Sequence, residues 1–185
     1  MTVLRARCDH RRAYRRGVGA HVAGHYAAAL CIFRNLARRG HAPARFMLGS
    51  MHHKGEGVEA DPDVALLHYL VAADRGEPRA AYMVGCMHCV GEAVDEDPGA
   101  AVPWFRVSAD QGYAPAQFSL GTMYYSGTDV ARDPHEAMQW FLLAAVQGHR
   151  QALHDLQAVA TFMKQEQPKD SSGVPLNGSA PCSRG

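Results

Sequence analysis

The chain has 185 residues, of which 47% are apolar and 20% are charged, and its formal net charge is +1. This length suits one domain or one short repeat array with a sizeable core. Global disorder is excluded, because it requires low hydrophobicity together with high net charge. A transmembrane protein is also excluded, since no run of about 18 uncharged apolar residues occurs. The charge is uneven: residues 1–40 sum to +8 and residues 41–149 to −8.

The N-terminal stretch over residues 1–16 is basic, with six Arg against the single acid Asp9. We expect it to be a disordered arm of a cytoplasmic protein. The alternative is a cleaved mitochondrial presequence, which the Arg content favours and which Asp9 and the lack of Ser oppose. The five cysteines are few and odd in number, which argues against a disulfide framework. Such a count is typical of a protein in a reducing compartment.

A repeat of 36 residues organises the chain, and glycines mark it at Gly40, Gly76, Gly112 and Gly148. Three full units span residues 41–76, 77–112 and 113–148, and ten positions are identical in all three. Chance does not produce this many coincidences. A period in the range of about 20–50 residues indicates a solenoid or another repeat architecture.

Each unit is predicted to form two helices. In the first unit Ala44, Leu48 and Met51 follow i, i+4, i+7 spacing, which places them on one apolar helix face. Asp61-Pro62 begins the second helix, because Asp is a preferred N-cap and Pro fits the first helical position. Pro103 lies within the corresponding helix of the second unit, and we expect it to bend or loosen that helix.

One glycine recurs in the middle of each first helix, at Gly49, Gly85 and Gly121. Glycine costs up to about 1 kcal/mol relative to alanine at such positions. We therefore expect each glycine to allow a close approach of the second helix. The expected contact residues are Ala65, Ala101 and Ala137.

The repeat array is expected to cover residues 17–163 and to be incomplete at both ends. Residues 17–40 match only the turn and the second helix, so we interpret them as a half repeat. Residues 149–163 match a first helix and then diverge, as a capping helix does. Residues 164–185 are polar and rich in Ser, Pro and Gly, and we expect a disordered tail.

The third unit carries a family resemblance. The segment from Ala116 to Gly127, followed by Asp133-Pro134 and the segment from Ala137 to Gly148, resembles a Sel1-like repeat. The resemblance extends over about residues 17–160. It implies an all-α, right-handed α-solenoid similar to tetratricopeptide repeats, with the first helices lining a concave surface. It also implies a non-catalytic adaptor that binds a protein or peptide.

A second face of each first helix is expected to line that concave groove. Phe46, Ser50 and His53 share this face at about 100° per residue. Its aromatic content suits an extended or helical peptide. The alternative is that the aromatic side chains pack on the neighbouring repeat. The predicted groove residues are Phe46, Ser50, His53, Tyr82, Cys86, Cys89, Phe118, Thr122 and Tyr125.

Cys86 and Cys89 form a C-x-x-C motif, whose thiols can be redox-active or supply half of a metal site. The second hypothesis is therefore a mitochondrial redox or metal-handling assembly factor. A thioredoxin-like motif requires a strand–helix setting, and no second C-x-x-C occurs, so we favour two inert thiols and expect no metal or cofactor. Phosphate-binding and hydrolase motifs are absent, so we predict no catalytic residues. The acidic array argues against nucleic-acid binding.

Overall fold

The computed structural model describes the backbone of residues 2–166 and the side chains of residues 9–165. This part of the chain forms nine α-helices and contains no strand. Their bounds are α1 Thr2–Val22, α2 Tyr26–Arg38, α3 Ala42–Lys54, α4 Pro62–Asp74, α5 Pro78–Val90, α6 Pro98–Asp110, α7 Ala114–Ser126, α8 Pro134–Val146 and α9 Arg150–Glu166. Over this range, no helix combines the length and apolar character that a membrane crossing requires.

Each helix packs against the next one in the chain, which is the arrangement of an α-solenoid. We call α1, α3, α5, α7 and α9 the A helices and α2, α4, α6 and α8 the B helices. An A helix and the B helix that follows it form one repeat. The 36-residue period therefore predicts the helix pairs correctly across the three full units.

The predicted N-caps and the predicted apolar face are both present. The Asp61 carboxylate accepts a hydrogen bond from the Val64 amide at 3.0 Å, and Asp97 and Asp133 cap their helices in the same way. Ala44, Leu48 and Met51 are buried between neighbouring helices, with exposed fractions of 2% or less. Helix α6 runs over Pro98–Asp110 without a break, although Pro103 lies within it.

The mid-helix glycines do allow a close approach. Of the expected contact residues, Ala65 is found near its glycine, with its carbonyl oxygen 3.2 Å from a Cβ atom added to Gly49, but aromatic rings come closer. A Cβ atom on Gly49 would lie 2.7 Å from the Tyr69 ring, and one on Gly85 would lie 2.7 Å from the Phe105 ring. These rings lie one helical turn beyond the expected alanines. The space left by each glycine is therefore filled by an aromatic ring of the B helix.

The N-terminal region differs from the sequence expectation. Residues 9–16, expected in a disordered arm, lie in α1, and residues 17–40 are the rest of a complete helix pair. A Cβ atom on Gly17 would lie 2.7 Å from the Phe33 ring, as at the other mid-helix glycines. The turn between α1 and α2 is four residues shorter than the turn between α3 and α4. A fixed 36-residue comparison therefore aligns α1 out of register and hides the match.

The C-terminal helix α9 is an A helix whose Ala152 and Val159 are fully buried. It spans Arg150–Glu166, slightly beyond the predicted capping helix. The predicted disordered tail begins at Lys164, which lies in this helix, and most of the tail lies outside the described residues.

Candidate protein-binding groove

The predicted groove residues lie on three successive A helices, α3, α5 and α7. They form three rows at matching positions of the repeat. The aromatic row is Phe46, Tyr82 and Phe118, the middle row is Ser50, Cys86 and Thr122, and the third row is His53, Cys89 and Tyr125. Thr122 is exposed, and the other eight side chains are partly buried.

The aromatic row packs against the rings of the B helices. The ring centroids are 5.6 Å apart for Phe46 and Tyr69, 5.5 Å for Tyr82 and Phe105, and 5.8 Å for Phe118 and Phe141. Pairs at such distances contribute about 0.5–1.5 kcal/mol beyond their buried area. The rings therefore hold each helix pair together.

The same rings also contact the first residue of the following repeat. Tyr82 meets Tyr113 edge to face at 5.4 Å, and Phe118 stacks on His149 at 4.6 Å. In the first helix pair Tyr14 meets His41 at 5.0 Å. Sequence analysis missed Tyr14, because the shorter turn shifts it from the 36-residue register. The alternative interpretation of this row, in which the rings pack on the neighbouring repeat, thus describes contacts that the rings make.

Phe46 has a different neighbour, because Glu77 stands at the position of Tyr113 and His149 and does not stack. The Arg79 guanidinium covers Phe46 instead, with Cζ 4.4 Å from the ring centroid. Arg79 Nε donates to Glu77 Oε1 at 2.6 Å, and Glu77 is only 6% exposed. This bond raises the pKa of Arg79.

Tyr14 lies close enough to Arg79 to raise its pKa as well. One side chain of α5 thus lies beside α3, at Phe46, and near α1, at Tyr14. Neither Glu77 nor Arg79 was predicted from the sequence, because both depart from the repeat pattern at their positions.

The third row takes part in contacts between repeats. His53 Nε2 donates to both carboxylate oxygens of Glu92 at 3.0 Å. Within its own repeat, Tyr125 is covered by the Arg132 guanidinium, whose Cζ lies 5.8 Å from the ring centroid. In the middle row, Thr122 Oγ1 donates to the Phe118 carbonyl of its own helix at 3.1 Å.

Cys86 and Cys89 are free thiols on α5. Burial raises the pKa of both, and the neighbouring Tyr82 opposes only part of this effect at Cys86. Burial likewise raises the pKa of Tyr82 to about 12. The thiolate is the form that attacks disulfides and binds metals, so a raised pKa works against both activities. The described residues contain no group of three His, Cys, Asp or Glu side chains placed to hold a metal ion.

The repeats match a family model described as Sel1 repeat, at residues 42–77, 78–113 and 114–149. These matches cover more than half of the chain. The chain belongs to the Sel1 repeat family.

Two solved structures support the same fold. A Sel1 repeat protein from Oxalobacter formigenes is 31% identical, with a TM-score of 0.75, over 81% of this chain and 61% of that one. A protective antigen of uropathogenic Escherichia coli is 35% identical, with a TM-score of 0.69, over 74% of this chain and 29% of that one. This chain thus spans less than two thirds of each relative. No curated protein sequence matches it.

The predicted all-α, right-handed solenoid of Sel1-like repeats is therefore confirmed. Sel1 repeat proteins are in general scaffolds for protein–protein interaction, and the fold is typically non-catalytic. Nothing in this Sel1 array supports the redox or metal-handling alternative.

Proposed function

We propose that this Sel1 repeat protein is a non-catalytic adaptor that binds a segment of a partner protein along its A-helix face. The observation that carries the proposal is that a partly buried ring recurs at the same position of α1, α3, α5 and α7. Contiguous exposed edges of aromatic side chains are typical of protein-binding surfaces.

The shape of this face also favours an elongated segment. Ser50, Cys86 and Thr122 are small and uncharged, and they lie between two rows of larger side chains. We expect them to form the floor of a shallow channel that crosses the repeats. Because the floor carries no charge, we expect the bound segment to be largely uncharged where it crosses α3, α5 and α7.

The aromatic rings are poor targets for mutagenesis, because their removal would also break the helix pairs. A sharper experiment replaces single exposed positions with a photo-crosslinking amino acid. Thr122 reports on the channel, and Gln139 on the exposed face of α8 is the matched control position. We expect the Thr122 position to give a discrete crosslinked partner in native cells and the Gln139 position to give none of that species.

An affinity measurement on two variants strengthens this test. In the wild-type background the captured partner is purified, and its affinity is measured for Thr122→Arg and Gln139→Arg. A bulky charge in the channel should weaken binding by about tenfold or more, which corresponds to about 1.4 kcal/mol. Equal affinity for both variants, or crosslinking only from Gln139, would show that the partner does not use this groove.

A further inference from the structure

A second candidate site lies on the opposite side of the array, between the first two B helices. We call it the α2–α4 cleft and define it by Arg34 of α2, Arg45 and His52 of α3, and His68 of α4. The His52 and His68 rings stack with their centroids 5.5 Å apart. Arg45 donates one bond, from Nη2 to the Ala37 carbonyl at 3.4 Å, while its buried Nε has no hydrogen-bond partner.

The cleft has an excess of positive charge. Burial, together with the neighbouring Arg45, His52 and Arg34, lowers the pKa of His68 to about 4. Burial and Arg34 also lower the pKa of His52, while Asp61 opposes this shift. The Asp61 carboxylate is already engaged as the N-cap of α4. Both imidazoles are therefore neutral near pH 7, and Arg34 and Arg45 outnumber the one nearby carboxylate, Asp61.

The repeat supplies an internal comparison 72 residues further on, between α6 and α8. Arg106 stands at the register of Arg34, and its Cζ lies 5.7 Å from the rings of both Tyr124 and Trp140. Glu136 completes this site. Its Oε1 accepts from Trp140 Nε1 at 3.0 Å and lies 4.0 Å from Arg106 Nη1.

The α2–α4 cleft lacks that carboxylate, because Val64 occupies the register of Glu136. Space for one is present beside Arg34, where a cavity of about 390 Å³ opens on α2 and the turn that follows α3. Its lining contains two Arg and one Asn but no acidic residue. The lining residues are Ala27, Leu30, Cys31, Arg34, Asn35, Arg38, Gly57 and Val58.

We propose that Arg34 and Arg38, in the cavity beside the α2–α4 cleft, bind a carboxylate side chain from an acidic segment of a partner protein, as Glu136 pairs with Arg106 between α6 and α8. Arg34 and Arg38 form charge-assisted hydrogen bonds with the carboxylate. This site lies on the B-helix side, so it does not depend on the groove proposed above.

The test uses the full chain and two fluorescent peptides of equal length, one of Glu and Gly residues and the other with each Glu replaced by Gln. We expect fluorescence anisotropy to show binding of the Glu peptide at least about tenfold tighter than that of the Gln peptide, and weaker at high salt. Val64→Glu places a carboxylate at the Glu136 register and should reduce the affinity for the Glu peptide. Arg34→Gln should reduce it as well, whereas Arg106→Gln should not.

A second readout locates the bound peptide. The imidazole signals of His52 and His68 are followed by NMR, and the Glu peptide should raise the pKa of His68. Binding that leaves both signals unchanged would place the peptide elsewhere and overturn the proposal. Equal binding of the two peptides would overturn it too, as would a response of these signals to inorganic phosphate and not to the Glu peptide. If Val64→Glu does not fold, Arg34→Gln decides, because Arg34 is exposed.

Discussion

His53 and Glu92 join two successive repeats through a shared hydrogen atom. The imidazole Nε2 lies 3.0 Å from each carboxylate oxygen, so α3 is tied to the turn that follows α5. The same tie occurs one repeat earlier, where His21 Nε2 lies 2.7 Å from Glu56 Oε2. The turns after α3 and α5 thus both bind back to the preceding A helix.

Glu92→Gln should weaken the coupling between these repeats, because it removes the charge that strengthens the bond to His53. We expect a loss of about 0.5–1.5 kcal/mol in the free energy of unfolding, and a broader transition. Urea unfolding followed by circular dichroism measures both. Glu96→Gln is the control, since Glu96 is an exposed residue of the same turn. Equal losses of unfolding free energy in the two variants would mean that the His53–Glu92 hydrogen bond does not stabilise the protein specifically.

Gly85→Ala should destabilise the central repeat, although alanine is the better helix former. The added Cβ would lie 2.7 Å from Phe105 Cε1, and overpacking of this kind costs about 1–3 kcal/mol. Gly19→Ala in α1 is the matched control, because no atom lies within 4 Å of its added Cβ. We expect the control to gain up to about 1 kcal/mol. Thermal unfolding separates the two, and a Gly85→Ala protein as stable as the wild type would contradict the ring contact.

Ala93→Gly should stabilise the protein. Ala93 has a φ of 60°, in the left-handed region, and its counterpart in the preceding repeat is Gly57 with a φ of 75°. An L-residue there costs roughly 1–2 kcal/mol, part of which the greater chain entropy of glycine offsets. We expect a net gain of about 0.5–1 kcal/mol by urea unfolding. Ala131→Gly, in the next turn, is the control. Ala131 has no positive φ, so this substitution should not stabilise the protein.

Acid should destabilise the fold through His68. Its pKa falls from 6.5 to about 4 on folding, so the unfolded chain binds more protons between these values. The free energy of unfolding therefore decreases as the pH falls through this window. His68→Trp introduces the residue found at this position in the next two repeats, and it removes the contribution of His68. We expect a smaller difference in stability between about pH 7 and about pH 4.5.

The control for this pH effect is His154→Gln, because the His154 side chain is 76% exposed. This variant should retain the full pH dependence of the wild type. Some dependence should remain in His68→Trp as well, since burial also lowers the pKa of His41 and His52. A His68→Trp protein with unchanged acid sensitivity would show that the Arg34, Arg45 and His52 cluster does not act on His68 as described.

The sequence predicts the helix pairs, their caps and the apolar A-helix face, because all three depend on local spacing. It does not predict the contact of Gly49 with Tyr69, since two positions 20 residues apart carry no sign of which ring fills which gap. The sequence also does not predict the Arg79–Glu77 pair or the α2–α4 cleft. These residues lie at positions where the repeats differ from one another. A pattern built from the residues that the repeats share leaves such positions out.

The short turn before α2 shows what the longer turns are for. Gly17 and Phe33 pair α1 with α2 as well as Gly49 and Tyr69 pair α3 with α4, so the extra turn residues are not needed to bring the two helices of a repeat together. In the turns after α3 and α5, one residue binds back to the preceding A helix: Glu56 to His21 and Glu92 to His53. The extra residues of these two turns thus connect one repeat to the repeat before it.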